Sequence, residues 1–374
     1  MARTKTILIL QGGGALGAYE CGVYQALAPC LDNLAVVAGT SMGAINASLI
    51  AKNYGKEHRG APALQRFWTD VLATSSFPFA PGPGVWQRWS AVWTSLLLGH
   101  PRLFKPLLSP SWVLRAPVTW GSQTSFYDTQ IMEQTLAQYF GSYPRGKEDP
   151  RLIVTAVDVE TGKSEAFDSK CQCILPEHVV ASGSLPPGFA AKEVGGRFYW
   201  DGGLWSNTPL REVLNALQME CQANQPPLRA LQQGEPADEA YKVYIVDVFP
   251  QQGRMPRDNW EVWQRINEIT YADKTDYELK ACQWVNWCIE LAKSVQPLQK
   301  YVPPEEKHIA ERIDQHYKEI HQQARLNKRM TLDITRIQRS GSNLQDHVSR
   351  EIDFSRGRIE ELIAQGRREA REQL

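Results

Sequence analysis

A serine stands between two glycines in the Gly-Thr-Ser-Met-Gly motif at residues 39–43. The apolar run Leu34–Ala38 precedes the motif, and a helical pattern follows it. A serine on a sharp strand-to-helix turn projects its hydroxyl for nucleophilic attack, and glycines two residues away on each side leave room for that turn. The pattern therefore predicts Ser41 as a nucleophile, supported by Gly39 and Gly43. The alternative is an ordinary strand-to-helix turn without chemistry.

A glycine-rich loop, Gly12–Gly17, follows the first apolar run and matches Gly-x-Gly-x-x-Gly. One interpretation is a dinucleotide site, which requires an acidic residue after the second strand, about 20 positions further on. Asp32 lies before that strand. The other interpretation is an oxyanion hole, in which backbone N–H groups stabilise the negative oxygen formed when a serine attacks an ester. This second interpretation is favoured, with the following loop members as candidates: Gly12, Gly13, Gly14 and Gly17.

An aspartate followed by two glycines is the strongest candidate for a general base. Asp201 follows an apolar segment and precedes Gly202 and Gly203, which permit a tight turn beside another loop. A carboxylate in a dry site can accept a proton if it lies within hydrogen-bond reach of the nucleophile. None of the seven histidines lies in a comparable glycine motif; His178 is the best of them. An ordinary Asp-Gly-Gly turn is the competing interpretation.

Strand and helix patterns alternate over residues 6–210, which predicts an α/β fold with a mainly parallel sheet flanked by helices. A further strand is predicted at Tyr241–Phe249. From Trp260 onward the patterns are helical, and the final segment, Ser355–Leu374, has an apolar stripe. We therefore expect a helical C-terminal extension after the α/β region.

These three motifs, in this order, resemble those of the patatin-like phospholipases, over roughly residues 5–210. The resemblance implies a three-layer α/β/α catalytic domain at 5–214 and an extension of unassigned role at 215–374. It also implies a dyad of Ser41 and Asp201 without a cofactor or metal, and it likens Ala181–Pro187 to the proline loop of the family. Leu16 stands where many family members carry Arg or Lys, which weakens phosphate recognition by the loop itself.

The segment 71–127 combines five tryptophans with four basic residues and no acidic residue between Val71 and Tyr127. Tryptophan and cations together suit the boundary between lipid and water. This Trp-rich insert is therefore predicted to be a lid or a peripheral membrane contact. A buried subdomain broken by prolines is the alternative.

The 374 residues contain 41 basic and 41 acidic side chains, so overall charge does not favour nucleic acid. The seven scattered cysteines indicate neither a zinc site nor a disulfide framework, which fits a cytoplasmic protein. The expected function is hydrolysis of a lipid or fatty-acyl ester through an acyl-enzyme. A catalytically silent lipid-binding scaffold and an NAD-dependent oxidoreductase are the alternatives, and the oligomeric state is not predicted.

Overall fold

The structure is a computed structural model of the chain. It describes residues 4–74, 99–107, 124–146, 148–223, 239–272, 274–306, 308–309, 311–316, 330–340 and 351–374. The chain divides into two compact units. The larger unit contains Thr6–Pro209, Val243–Asp273 and Ile334–Leu374, and the smaller contains Met1–Lys5, Leu210–Lys242 and Lys274–Asp333.

Ten strands are found in the described part of the chain. They are β1 (Lys5–Leu10), β2 (Leu34–Thr40), β3 (Lys105–Pro106), β4 (Tyr127–Asp128), β5 (Arg151–Asp158), β6 (Ser164–Asp168), β7 (Lys192–Val194), β8 (Arg197–Asp201), β9 (Glu239–Asp247) and β10 (Met330–Gln338). The main sheet has the order β10-β9-β1-β2-β5-β8-β7, with β6 also paired to β5, while β3 and β4 form a separate pair. The strands β1, β2 and β5 run parallel, and β6, β8 and β7 add antiparallel pairings at one side.

Helices cover this sheet, as predicted. Those within the described ranges are α1 (Gly17–Leu27), α2 (Met42–Asn53), α3 (Ala61–Arg66), α4 (Gln130–Tyr139), α5 (Pro176–Ser182), α6 (Leu210–Ala223), α7 (Asn259–Tyr271), α8 (Asp276–Val295) and α9 (Arg356–Gln373). Strands β1, β2 and β5 are almost entirely buried, which explains their uninterrupted apolar sequences. The predicted α/β class, with a mainly parallel sheet flanked by helices and a helical C-terminal region, is confirmed.

Strand β10 was not predicted from the sequence. The patterns after Trp260 predict helix, whereas Met330–Gln338 forms an edge strand beside β9. The backbone N–H of Arg339 donates to Asp247 O at 2.9 Å and continues this pairing. The segment alternates short polar and apolar residues between charge-rich segments, so its period-2 pattern is easily overlooked.

The C-terminal helix packs closely on α1 within the larger unit. A Cβ atom added to Gly366 would lie 2.1 Å from Tyr19 O, and one added to Gly22 would lie 2.0 Å from Ile363 O. The apolar stripe predicted for this segment is buried, including Ile359 and Leu362. The predicted domain bounds, 5–214 and 215–374, remain a prediction, but α9 lies in the same compact unit as the glycine-rich loop.

The predicted Trp-rich insert, 71–127, falls largely outside the described residues, as do all five of its tryptophans. Two of its cations are described, and one of them, Lys105, is 3.4 Å from Asp128. None of the helices in the described ranges has the length and apolar character needed to cross a bilayer.

Candidate active site

Strand register brings residues 41 and 201 to the same level of the sheet. Thr40 on β2 pairs with Thr155 on β5, and the next residue of β5, Ala156, pairs with Asp201 at the end of β8. Neighbouring strands are about 4.8 Å apart, so the residues flanking β5 are within side-chain reach of each other. Two distant parts of the sequence therefore meet at one edge of the sheet.

Ser41 occupies a strained turn between β2 and α2. Its φ of 55° and ψ of −122° lie in a region that residues with a side chain rarely adopt. The Ser41 backbone N–H donates to Ser182 Oγ at 2.9 Å, which fixes the turn against α5. The predicted supporting glycines are needed for close packing: a Cβ on Gly39 would lie 2.2 Å from Gly43 O, and one on Gly43 would lie 2.5 Å from Gln11 O.

Asp201 is buried, and two groups act on its carboxylate. The Gly203 N–H donates to its Oδ1 at 2.7 Å, and the Ser41 side chain is near enough to the same carboxylate to lower its pKa. Gly202 packs directly on β5, because a Cβ there would lie 2.6 Å from Thr155 O. Burial raises the pKa of Asp201 to about 6, although Ser41 and the hydrogen bond from Gly203 act in the opposite direction. The carboxylate is thus ionised near neutral pH and is a stronger base than an exposed aspartate.

The glycine-rich loop reaches this pair with only part of its predicted donor set. The Gly12 N–H donates to Asn207 Oδ1 at 3.0 Å, and the Gly17 N–H donates to Gly14 O within the loop. The amides of Gly12 and Gly17 thus already have acceptors within the protein, and the oxyanion hole of Gly12, Gly13, Gly14 and Gly17 remains a prediction. The amides of Gly13 and Gly14 have no hydrogen-bond partner among the described residues and remain the candidate donors.

A C-terminal segment holds the loop from another side. The Ala15 N–H donates to Glu351 O at 2.8 Å. Gly14 has a φ of 55°, and a Cβ at this position would lie 2.2 Å from Glu351 O. Only glycine fits here, both because of the backbone conformation and because of the close approach of residue 351.

A cavity of about 470 Å³ opens over Ser41 and Asp201. Its walls are mostly apolar, with contributions from every part of the larger unit. The lining includes Gly12, Gly13, Gly14, Ser41, Met42, Ile45, Leu103, Phe104, Tyr127, Met132, Leu185, Pro186, Phe189, Asp201, Asn207, Phe249, Trp263, Asn267, Tyr271, Glu351, Ile352 and Phe354. Such a chamber suits an acyl chain better than a strongly polar ligand.

None of the histidines that the structure describes belongs to this lining. His178 is buried in α5, where its Nδ1 accepts the Leu175 N–H at 2.9 Å and burial lowers its pKa. His100 is also buried, and desolvation lowers its pKa to about 4. Among the cavity residues that the structure describes, Asp201 is the one whose pKa responds to the Ser41 side chain.

Three polar residues of the site were missed by the sequence analysis. Asn207 bridges the loop and α7, because its Nδ2 donates to Gly12 O at 3.0 Å and to Tyr271 O at 3.1 Å. Burial, followed by the negative charges of Asp201 and Glu351, raises the pKa of Tyr271. Nothing in the local sequence marks Asn207, Tyr271 or Glu351 as a member of the site.

The chain is thus an α/β protein in which Ser41, on a strained strand-to-helix turn, and the buried Asp201 line one cavity. The family model for patatin-like phospholipase matches residues 8–214 of the chain. The chain therefore belongs to the patatin-like phospholipase family, a family of lipid hydrolases.

Two solved structures are similar to the chain at low identity. VipD from Legionella pneumophila is 12% identical, with a TM-score of 0.32, and the match covers 96% of this chain and 66% of that one. The type III effector protein ExoU is 13% identical, with a TM-score of 0.22 and coverages of 86% and 63%. The chain thus spans slightly less than two thirds of each protein's length. No curated protein matches the sequence.

Proposed function

We propose that the protein hydrolyses carboxylic esters of lipids, with Ser41 as nucleophile and Asp201 as the only side-chain base. The observation that carries this proposal is that Ser41 and the buried carboxylate of Asp201 line the same apolar cavity, where the Ser41 side chain acts on the pKa of that carboxylate. Membership of the patatin-like phospholipase family supports the same class of reaction.

The first half of the proposed reaction forms an acyl-enzyme. Asp201 accepts the hydroxyl proton as Ser41 Oγ attacks the ester carbonyl, and the alcohol part of the lipid leaves with a proton. The amides of Gly13 and Gly14 donate to the oxyanion. One such donor contributes about 3–4 kcal/mol to transition-state stabilisation in serine hydrolases.

The second half regenerates the enzyme. Asp201 takes a proton from water as the water oxygen attacks the acyl-serine, and it then gives that proton to Ser41 Oγ as the fatty acid is released. The raised pKa of Asp201, about 6, brings its proton affinity closer to that required of a general base at neutral pH. All the groups in these steps belong to the chain itself.

The acyl portion of the substrate is proposed to occupy the apolar cavity, with aromatic and aliphatic walls such as Phe104, Phe189 and Phe354. We further propose that the enzyme acts in the cytoplasm at a membrane surface. The Trp-rich insert, 71–127, remains a proposed contact with anionic lipid, which co-sedimentation of Trp89→Ala and Trp93→Ala variants with anionic vesicles would test.

Fluorophosphonate labelling tests the proposed nucleophile. We expect the wild-type protein to be labelled and to release fatty acid from phospholipid, and Ser41→Ala to do neither. Ser48→Ala is a matched control, because Ser48 lies on α2, the helix that follows Ser41, but donates to Ala44 O at 2.7 Å within the core. Labelling that persists in Ser41→Ala would contradict the proposal. A wild-type protein that is neither labelled nor active would favour a catalytically silent lipid-binding protein.

A further inference from the structure

Helix α7 (Asn259–Tyr271) has two adjacent faces with different surroundings. Trp263, Asn267 and Tyr271 recur every four residues and line the cavity. Next to them, Val262, Ile266 and Ile269 form a stripe with helical spacing that is exposed to solvent. Ile266 and Ile269 are 57% and 56% exposed, values unusual for side chains that cost free energy to keep in water.

One residue belongs to both faces. Trp263 lines the cavity and is nevertheless 47% exposed, so the apolar interior continues without interruption onto the outer surface. A second exposed apolar pair lies in the turn that contacts the C-terminal end of α7. Leu204 and Trp205 directly follow Gly203, another cavity residue, and Asn207 connects this turn to the end of α7. We call the six residues Leu204, Trp205, Val262, Trp263, Ile266 and Ile269 the apolar rim.

The charges around the stripe are balanced and largely paired with one another. Residues 251–271 contain three arginines and three acidic side chains. Arg265 Nη1 lies 2.9 Å from Glu268 Oε2, and Arg254 Nη2 lies 3.8 Å from Glu261 Oε1. The surface that meets the rim therefore needs no net charge, which fits a zwitterionic lipid layer better than a basic or acidic protein partner.

We propose that the apolar rim inserts into a lipid surface and delivers acyl chains directly from that surface to the cavity. This inference rests on the proposed function, since it names a membrane as the source of the substrate. Insertion at the mouth of the cavity spares the acyl chain a passage through water. The proposal concerns a surface different from the Trp-rich insert, and it predicts binding driven by apolar contact instead of by charge.

Vesicles of phosphatidylcholine alone test the rim separately from catalysis. Binding is measured by flotation in a Ser41→Ala background, so that no lipid is consumed. Replacing both Ile266 and Ile269 by Ser is expected to weaken partitioning by about 10- to 100-fold. Phe198→Ser is the matched control, because Phe198 is 45% exposed on β8 but does not line the cavity. Ile269→Trp is expected to strengthen binding by about threefold or more.

Activity assays complete the test with Ser41 restored. The double Ile-to-Ser variant is expected to lose hydrolysis of vesicle lipid by about the same factor as its binding, while it cleaves a short soluble ester at the wild-type rate. Binding is also expected to persist at about 1 M salt, where charges are screened within about 3 Å.

Three results would overturn the inference: unchanged binding by the double variant, binding that salt abolishes, or a wild-type dimer that the double variant dissociates, in which case a second copy occupies the rim. Failure of the proposed function has a different signature. If vesicle binding depends on the apolar rim but no ester is hydrolysed, the docking inference stands and the proposed enzymatic function is wrong. If esters are hydrolysed but binding does not depend on the rim, the enzymatic function stands and the docking inference is wrong.

Discussion

The part of the cavity that carries Ser41 and Asp201 is held by backbone contacts among β1, β2, β5 and β8, in which glycines allow strands and turns to touch. The part formed by α7 and Glu351–Phe354 is held by partners far away in the sequence: Asn207 Nδ2 donates to Tyr271 O, the Thr74 N–H donates to Phe354 O, and α9 packs on α1. The first region positions the reacting atoms, and the second shapes the space in front of them.

One place where the two regions meet is the glycine-rich loop. Its Ala15 N–H donates to Glu351 O, while its Gly12 amide is held by Asn207. Changes within the first region should therefore remove the chemistry outright. Changes in the second should act through the loop or through stability.

Asp201→Asn should have the largest effect, a loss of kcat/KM of about 10³- to 10⁴-fold, because an amide cannot accept the Ser41 proton.

In the wild-type protein, the same role predicts activity that falls about tenfold per pH unit below a pKa of about 6, as the base becomes protonated. A pH profile on a soluble ester measures both. Asp70→Asn, at an exposed position, should leave the profile unchanged, and an activity independent of pH between 4 and 6 would argue against this base.

Gly14→Ala should lower kcat by about 10²- to 10³-fold, because the added Cβ would displace the loop from Glu351 and move its amide donors. Gly162→Ala is the matched control. Gly162 has a similar φ of 64° but no atom within 4 Å of an added Cβ, so it carries the backbone strain without the contact. Equal effects of the two variants on kcat would mean that the junction between the regions is unimportant.

Asp201→Asn should also stabilise the fold above pH 6. The pKa of Asp201 is raised from 3.8 to about 6 by burial, so its contribution to stability is present below about pH 4 and is lost as pH rises through about 6. A shift of about two units corresponds to about 3 kcal/mol at most. Denaturant unfolding at pH 8 should show this gain, and unfolding near pH 4 should not. A gain of equal size at both pH values would require another explanation.

The same contrast explains what the sequence could predict. The sequence motifs around Ser41 and Asp201 could be recognised because each close backbone contact there requires glycine within a few positions of the functional residue. The sequence did not show that the amides of Gly12 and Gly17 have acceptors. For Gly12 the reason is that its acceptor, Asn207, lies 195 residues away in the sequence.

The wall of the cavity was still less predictable. Glu351 touches the loop through its backbone oxygen, for which any residue type would serve. Tyr271 and Trp263 looked like members of an ordinary helical pattern, and β10 was masked by the charge-rich segments around it. Tertiary packing decides all of these, and no local pattern records it.

Gly366→Ala should destabilise the fold by about 2 kcal/mol, because its Cβ would lie 2.1 Å from Tyr19 O and force α9 away from α1. Gly357→Ala, in the same helix but facing open space, should instead be neutral or stabilise by about 0.5–1 kcal/mol. Thermal or denaturant unfolding distinguishes the two. If both alanines stabilised the protein, the close contact of α9 with α1 would be wrong.

Ser41→Gly should have the smallest effect on stability. It should raise the free energy of unfolding while it abolishes activity. Ser41 holds a φ of 55° that a side chain disfavours and glycine accepts freely, so removing the side chain relieves strain of about 1 kcal/mol while abolishing labelling. Part of that gain is offset because glycine also has more freedom in the unfolded chain. Ser41→Ala loses the same hydroxyl but keeps the Cβ, so its stability should stay below that of the glycine variant. If the alanine variant proved the more stable of the two, the backbone at residue 41 would not be strained. The turn that carries Ser41 would then be no more strained than the wall of the cavity.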